Sequence, residues 1–287
     1  MGHGLNAAER GASRTALGVA ALRAVHQLID GEPKILDDPI AALLLDDGDG
    51  RQLLARVREP NVVGLRSHVV LRSRFAEERM AEAMRRGVYQ CVILGAGFDT
   101  FAYRQPDWAR RLQIYEVDHL ATQTEKRRRL QKVGVPVPTN LEFVAIDFES
   151  VSLQDGLRAS KLDFSQPTFF SCLGVMVYLT REAVNAIFAL VAGFPADSEI
   201  VFTFSTPDAA VSNWANKVKR LGEPWRTHFE PDVLVSDLHA LGFSQISLLT
   251  ADEAEQIYFQ GRNDGLHAPH NTNIAAAVVG AARGRCR

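Results

Sequence analysis

Residues 91–100, CVILGAGFDT, end an apolar run on two glycines, Gly95 and Gly97, that flank Ala96, and an acid, Asp99, follows. Glycine takes positive φ and lets a ligand approach the backbone where a Cβ would block it. A turn of this kind grips a phosphate, a dinucleotide or another nucleoside-bearing cofactor, or it simply ends a buried strand. No Gly-Lys-Ser/Thr follows, so the turn is not a P-loop. A dinucleotide fingerprint would place a third glycine at position 100, where this chain has Thr100. Asp118 closes the run IYEVD, 23 residues past Gly95. An acid at that distance, at the end of the next strand, is placed to accept both hydrogens of a ribose diol. Glu116 points the same way by strand alternation and competes for the role. Asp147 ends a third run, FVAID, where it could accept from a purine amine or cap the following turn.

These residues need strands to carry them. From residue 88 the short runs YQCVILGAG, LQIYEVD, LEFVAID, PTFFSCLG and SEIVFTFS alternate with helical segments such as TREAVNAIFALVAGF. That alternation predicts an α/β fold with a mostly parallel sheet, covered by helices on both faces. EPDVLVSDLHALGF reads as a helix stopped by Gly242, and QISLLT and NIAAAVVG read as two further strands at one sheet edge. Residues 1–87 read as a helical cap and lead-in to a single domain spanning residues 1–287. Within them, Ser13 is placed to cap SRTALGVAALRAVHQLI, and Pro39 suits the first turn of DDPIAALLL. RSHVVLRSRFAEERMAEAMRRG forms a longer helix that stops at Gly87.

Bulk properties narrow the function. The 287 residues carry a net charge of −2, which argues against a nucleic-acid binder. Hydrophobic residues make up 46% of the chain, an ordinary globular share. Cys91, Cys172 and Cys286 form neither metal-ligand spacing nor an even disulfide set. The expected setting is reducing and cytoplasmic, with no metal. The first 20 residues lack the apolar core of a signal peptide, and no run approaches the roughly 20 apolar residues of a membrane span.

VILGAGFDTFAYR, YEVDHLATQTEKRRRL, FVAIDFE, SCLGVMVYLTREAV and GEPWRTHFEPDVL together resemble the leucine carboxyl methyltransferase family. The nearer likeness is to its bacterial branch of S-adenosylmethionine-dependent O-methyltransferases. The resemblance implies a class I methyltransferase fold, a Rossmann-like sheet of seven strands with the last antiparallel, and S-adenosylmethionine as the methyl donor. It places Gly95, Ala96 and Gly97 beside the methionyl part, Asp118 on the ribose, and Asp147 with Phe148 at the adenine. It also implies an arginine on the helix before the first strand for the cofactor carboxylate, either Arg72 or Arg74 of LRSRF. The chain departs from the family where relatives carry a glutamate after the fourth strand. Leu173 stands there, which leaves a backbone carbonyl near Cys172 for the cofactor's amino group.

A sulfonium is already an activated methyl donor, so the site must chiefly align nucleophile, methyl and sulfur. A carboxylate acceptor is ionised at neutral pH and needs no base, whereas a phenol or alcohol does. Tyr178 and His228 are the catalytic candidates, and His119 is expected beside the cofactor or in solvent. Lys126–Arg129 reads as a solvated basic face. Most of Trp214, Trp225, Phe229, Tyr258 and Phe259 serve packing, with some expected, together with the N-terminal cap, to line an apolar acceptor pocket. The favoured activity is methyl transfer to a small-molecule carboxylate or hydroxyl. The alternatives are carboxyl methylation of a protein C-terminus, a nicotinamide-dependent oxidoreductase, and a cofactor-binding module without catalysis.

Overall fold

The computed structural model describes residues 13–46, 57–147, 152–207 and 224–281. Seven strands form one sheet: β1 (Gln90–Leu94), β2 (Gln113–Asp118), β3 (Leu141–Ala145), β4 (Thr168–Cys172), β5 (Glu199–Thr203), β6 (Phe243–Leu248) and β7 (Ile274–Val279). Their order is β3-β2-β1-β4-β5-β7-β6. β1 to β5 pair in parallel, and β7 runs antiparallel to both β5 and β6. The sheet therefore grows outward from β1 to β3, then restarts at β4 on the other side of β1. Ligands bind beyond the carboxyl ends of strands at such a reversal.

Burial follows position in the sheet. β1, β4, β5 and β7 are buried at every residue, as strands covered on both faces must be. The two C-terminal runs do lie together, but the later one, IAAAVV, inserts between β5 and β6. It is uniformly apolar because it is interior, whereas the edge strand β6, FSQISL, exposes Ser244, Gln245 and Ser247.

Helices cover both faces. Leading into the sheet are α1 (Arg14–Ile29), α2 (Pro39–Leu43) and α3 (Pro60–Arg85). Ser13 caps α1 by accepting from Ala16 N at 3.1 Å, and Asp38 caps α2 by accepting from Ala41 N at 3.1 Å. α3 begins earlier than the apolar pattern predicts, because Pro60 suits the first helical position. Its Val70, Leu71, Ala76, Met80 and Ala83 pack with Cys91, Ile93, Phe169 and Val201 on one sheet face. On the opposite face lies the helix Arg181–Ala192. Its Val184, Ile187, Phe188 and Val191, an i, i+3, i+4, i+7 stripe, pack on Val92, Leu94, Phe170 and Phe202. The helix Pro231–Leu241 ends at Gly242 with φ 107°, the left-handed stop anticipated there.

The N-terminal helices are tied down by buried charge. Arg66 of α3 donates to both oxygens of Asp30 at 2.8 and 3.0 Å, and His26 Nδ1 lies 2.8 Å from the same carboxylate. A second knot centres on Asp38. It accepts from Thr100 Oγ1 at 2.6 Å and pairs with Arg23 Nε at 3.1 Å and Arg104 Nε at 3.4 Å. Arg104 also pairs with Glu77 of α3. Thr100 and Arg104 of the extended glycine motif thus bind the turn to the cap. Thr100 also explains the missing third glycine, since its buried hydroxyl is needed on Asp38.

The basic cluster departs from its solvated reading. On the helix Leu120–Lys132, Lys126 and Arg129 are buried. Lys126 Nζ lies 2.8 Å from Glu116, and Arg129 donates to Leu44 O at 2.9 Å and to Glu125 at 2.7 Å. Both turn inward because a buried acid or an open carbonyl faces them; Arg128 remains exposed.

Candidate cofactor and acceptor site

A cavity of about 340 Å³ opens at the carboxyl ends of β1 and β4, where the strand order reverses. Its size suits a small-molecule ligand. Gly95, Ala96, Gly97, Asp99 and Asp118 form one wall, Leu173–Val175 and Tyr178 another, and Arg72 of α3 reaches in. Ala16, Val19 and Arg23 of α1 also line it.

The glycine turn is required by geometry. Gly95 has φ 63°, and a Cβ there would stand 2.3 Å from Val175 Cγ2. Gly97 has φ 49°, and its Cβ would come within 3.1 Å of the Ala16 side chain. Asp118 is bonded directly to the turn: Oδ2 accepts from Gly97 N at 2.5 Å and Oδ1 from His119 N at 2.7 Å. Burial raises the Asp118 pKa, and these two N–H donors pull it back down. Each oxygen retains a lone pair for a further donor, as a diol would supply.

Arg72 is buried, and among the described residues it makes no hydrogen bond or ion pair. Burial, with Arg23 nearby, lowers its pKa to about 10, and Tyr178 and Asp99 act against that. It stays cationic at neutral pH. Its guanidinium lies against Gly174, where a Cβ would stand 2.8 Å from Nη1. Gly174 has φ 75°, and its N–H donates to Thr203 Oγ1 at 2.7 Å. A buried guanidinium without a protein partner is costly unless an anion joins it. Arg74, the competing choice, lies on the surface and pairs with Glu78 at 2.7 Å.

Other expected residues sit elsewhere. Glu116 is fully buried below Asp118 and pairs with Lys126, so it is not on the cavity. The Cys172 side chain does not line the cavity either, although the expectation there concerned a backbone carbonyl near it. Alternation turns its side chain into the core with Phe170 and Phe202, and burial pushes the thiol up to about 12. Ser171 and Leu173, on either side of it, line the cavity instead. Asp147 is half-buried just past β3 and outside the lining, and Phe148 lies outside the described residues.

Of the two catalytic candidates, Tyr178 lines the cavity and His228 does not; His228 Nδ1 lies 3.2 Å from Ser205 Oγ. His119 caps its helix by accepting from Ala121 N at 3.2 Å, so no described histidine reaches the cavity. Of the aromatic residues expected at the acceptor pocket, none of those described lines the cavity. Phe229 and Phe259 are core residues, the Tyr258 hydroxyl donates to Glu78, and Trp225 lies outside the lining while its neighbours Pro224 and Arg226 are in it. Trp214 lies outside the described residues. The N-terminal cap was expected at the acceptor pocket, and α1 does line the cavity; sequence reasoning missed the contribution of Gly174. It was signalled by a glycine standing where β4 must end.

The arrangement offers a cation for a carboxylate, an acid for a diol, and a glycine turn that admits a ligand against the backbone. Comparison with known proteins identifies the family of the chain. A family model described as leucine carboxyl methyltransferase matches residues 16–192. A Bacillus subtilis protein named "Putative S-adenosyl-L-methionine-dependent methyltransferase YktD" is 32% identical over 72% of this chain and 71% of its own length. A Frankia alni protein with the same style of name is 34% identical over 76% of this chain and 74% of its own. The fold is shared with a crystal structure from Thermobifida fusca described as a putative methyltransferase, with TM-score 0.55 and 15% identity, covering 92% of this chain and 94% of that one. A Streptomyces avermitilis structure of a DUF574 family protein gives TM-score 0.56 at 18% identity, covering 91% and 97%. The chain belongs to the leucine carboxyl methyltransferase family.

Proposed function

We propose that this S-adenosylmethionine-dependent methyltransferase moves the methyl group to an oxygen of a small molecule, a carboxylate or a hydroxyl. The observation that carries the donor half is the unpaired Arg72 guanidinium in one cavity with the Gly95–Gly97 turn and Asp118. Arg72 takes the donor's carboxylate, the turn lies along the methionyl chain, and Asp118 holds the ribose hydroxyls. The bound sulfonium supplies the electrophilic methyl.

The acceptor half rests on what the cavity lacks and holds. Among the described residues no histidine lines it, and Arg23, Arg72 and Arg226 do. An acceptor that is already ionised suits a site without a histidine, because it needs no base. A hydroxyl acceptor would depend on Tyr178 or on a proton lost to solvent. The cavity of about 340 Å³, lined in part by α1, is of a size that suits a small-molecule acceptor.

The test is transfer of labelled methyl from the donor into cell extract fractionated by size. Label in the small-molecule fraction is expected, and label confined to protein would replace the reading. Alkali then separates the two acceptor types: a methyl ester releases methanol, and an aryl or alkyl ether keeps its label.

A further inference from the structure

The methionyl end of the donor is a zwitterion. Arg72 answers its carboxylate, but its ammonium has no partner at position 173, where the side chain is the apolar Leu173. Among the described residues two acids line the cavity. Asp118 has both oxygens engaged by backbone N–H groups. Asp99 differs: Oδ1 accepts from Phe101 N at 2.8 Å, and Oδ2 makes no hydrogen bond among the described residues. The remaining acids of this region are held elsewhere, Asp38 by Thr100 and Ala41, Glu77 by Arg104, Glu116 by Lys126. Asp99 and Arg72 attract one another without forming an ion pair, so opposite charges flank one space. That is the arrangement an α-amino acid fills, each of its charges meeting its opposite.

We infer that Asp99 receives the α-ammonium of the donor, supplying from the glycine turn the acid that position 173 lacks. The inference rests on S-adenosylmethionine being the donor. It makes the turn a two-part reader: the glycines admit the ligand, and the acid two residues later demands that it carry an amine.

Calorimetric binding of S-adenosylhomocysteine and of 5′-methylthioadenosine, to wild type and to Asp99→Asn, tests it. Methylthioadenosine has the nucleoside and thioether but no amino-acid carbons. Asparagine keeps the oxygen that Phe101 N–H needs and removes the charge. The homocysteine ligand should bind the variant about 10- to 100-fold more weakly, the range of a charge-assisted hydrogen bond. Methylthioadenosine should bind both proteins alike. Unchanged affinity for the homocysteine ligand would overturn the inference and leave backbone carbonyls as the ammonium's acceptors. Equal weakening of both ligands would overturn it too, by making Asp99 a turn-shaping residue. If wild type binds neither ligand, the donor assignment itself falls, which is a different result from either.

Discussion

The two walls of the cavity are built differently. The glycine-turn wall is pinned bond by bond: Ala96 N donates to Val117 O at 3.0 Å, Gly97 N to Asp118, Asp99 N to Ala96 O at 2.7 Å, and Thr100 to Asp38. The facing wall, Leu173–Leu179 with Pro224, is mostly apolar, with Tyr178 and Arg226 as its polar exceptions. A ligand common to a whole family needs fixed donors and acceptors, and the first wall has them. A ligand peculiar to one chain needs shape, and the second wall offers that.

The contrast is broken most severely by a side chain on the turn. Gly95→Ala should abolish S-adenosylhomocysteine binding by calorimetry, because its Cβ would overlap Val175 Cγ2. Pairing it with Val175→Ala removes the colliding methyls and leaves a contact of 3.4 Å to the Cβ of residue 175. The remaining φ strain costs about 1–2 kcal/mol, so the double variant should recover binding to within roughly 30-fold of wild type. Failure to recover would mean that the turn needs glycine for more than room.

Next in size is Arg72→Met. It should weaken the homocysteine ligand about 10- to 100-fold and leave methylthioadenosine unaffected, while Arg74→Met changes neither. Equal effects from the two arginines would show that general positive charge, rather than one buried guanidinium, draws the ligand.

The sequence reading left the choice between those arginines open, although their spacing sets them on different faces of α3. Val69, Arg72, Ala76, Met80 and Ala83 are spaced by three or four, so Arg72 falls on the buried stripe of α3 and Arg74 on the opposite face with Glu78. The strands, the glycine turn and Asp118 were legible because period and spacing are local. What was not legible depends on partners far along the chain. Lys126 and Arg129 look solvated until Glu116 and Leu44 stand opposite them. Cys172 and Ser171 exchange roles because one residue along a strand changes the face. Which α1 residues line the cavity depends on how the cap sits over the turn, through Ala20, Ile40 and Leu44 packed on Phe98, and no spacing within α1 announces them.

On the facing wall the effects should be smaller and confined to the acceptor. Tyr178→Phe should lower acceptor kcat/KM several-fold while leaving the S-adenosylhomocysteine Kd unchanged. His228→Ala should alter neither, since the ring lies off the cavity against Ser205. A Tyr178→Phe effect on donor affinity would move that residue to the first wall.

The smallest effect concerns what stands behind the turn. Glu116 lies on β2 two residues before Asp118, buried and bonded to Lys126 at 2.8 Å. Burial raises its pKa from 4.5 to about 7, and Lys126 opposes the rise without cancelling it. The folded state thus binds a proton between these pH values that the unfolded chain has released. Its contribution is full below pH 4.5 and is lost as pH rises through about 7. Glu116→Gln keeps an oxygen for Lys126 and cannot titrate. The unfolding free energy of wild type minus that of the variant should therefore fall between about pH 4.5 and 7, by at most about 1.4 kcal/mol per pH unit, and level off above. Urea unfolding of both proteins across that range measures it. A flat difference would mean that Lys126 keeps Glu116 ionised throughout, so that the support behind the turn is a permanent ion pair rather than a proton-dependent one.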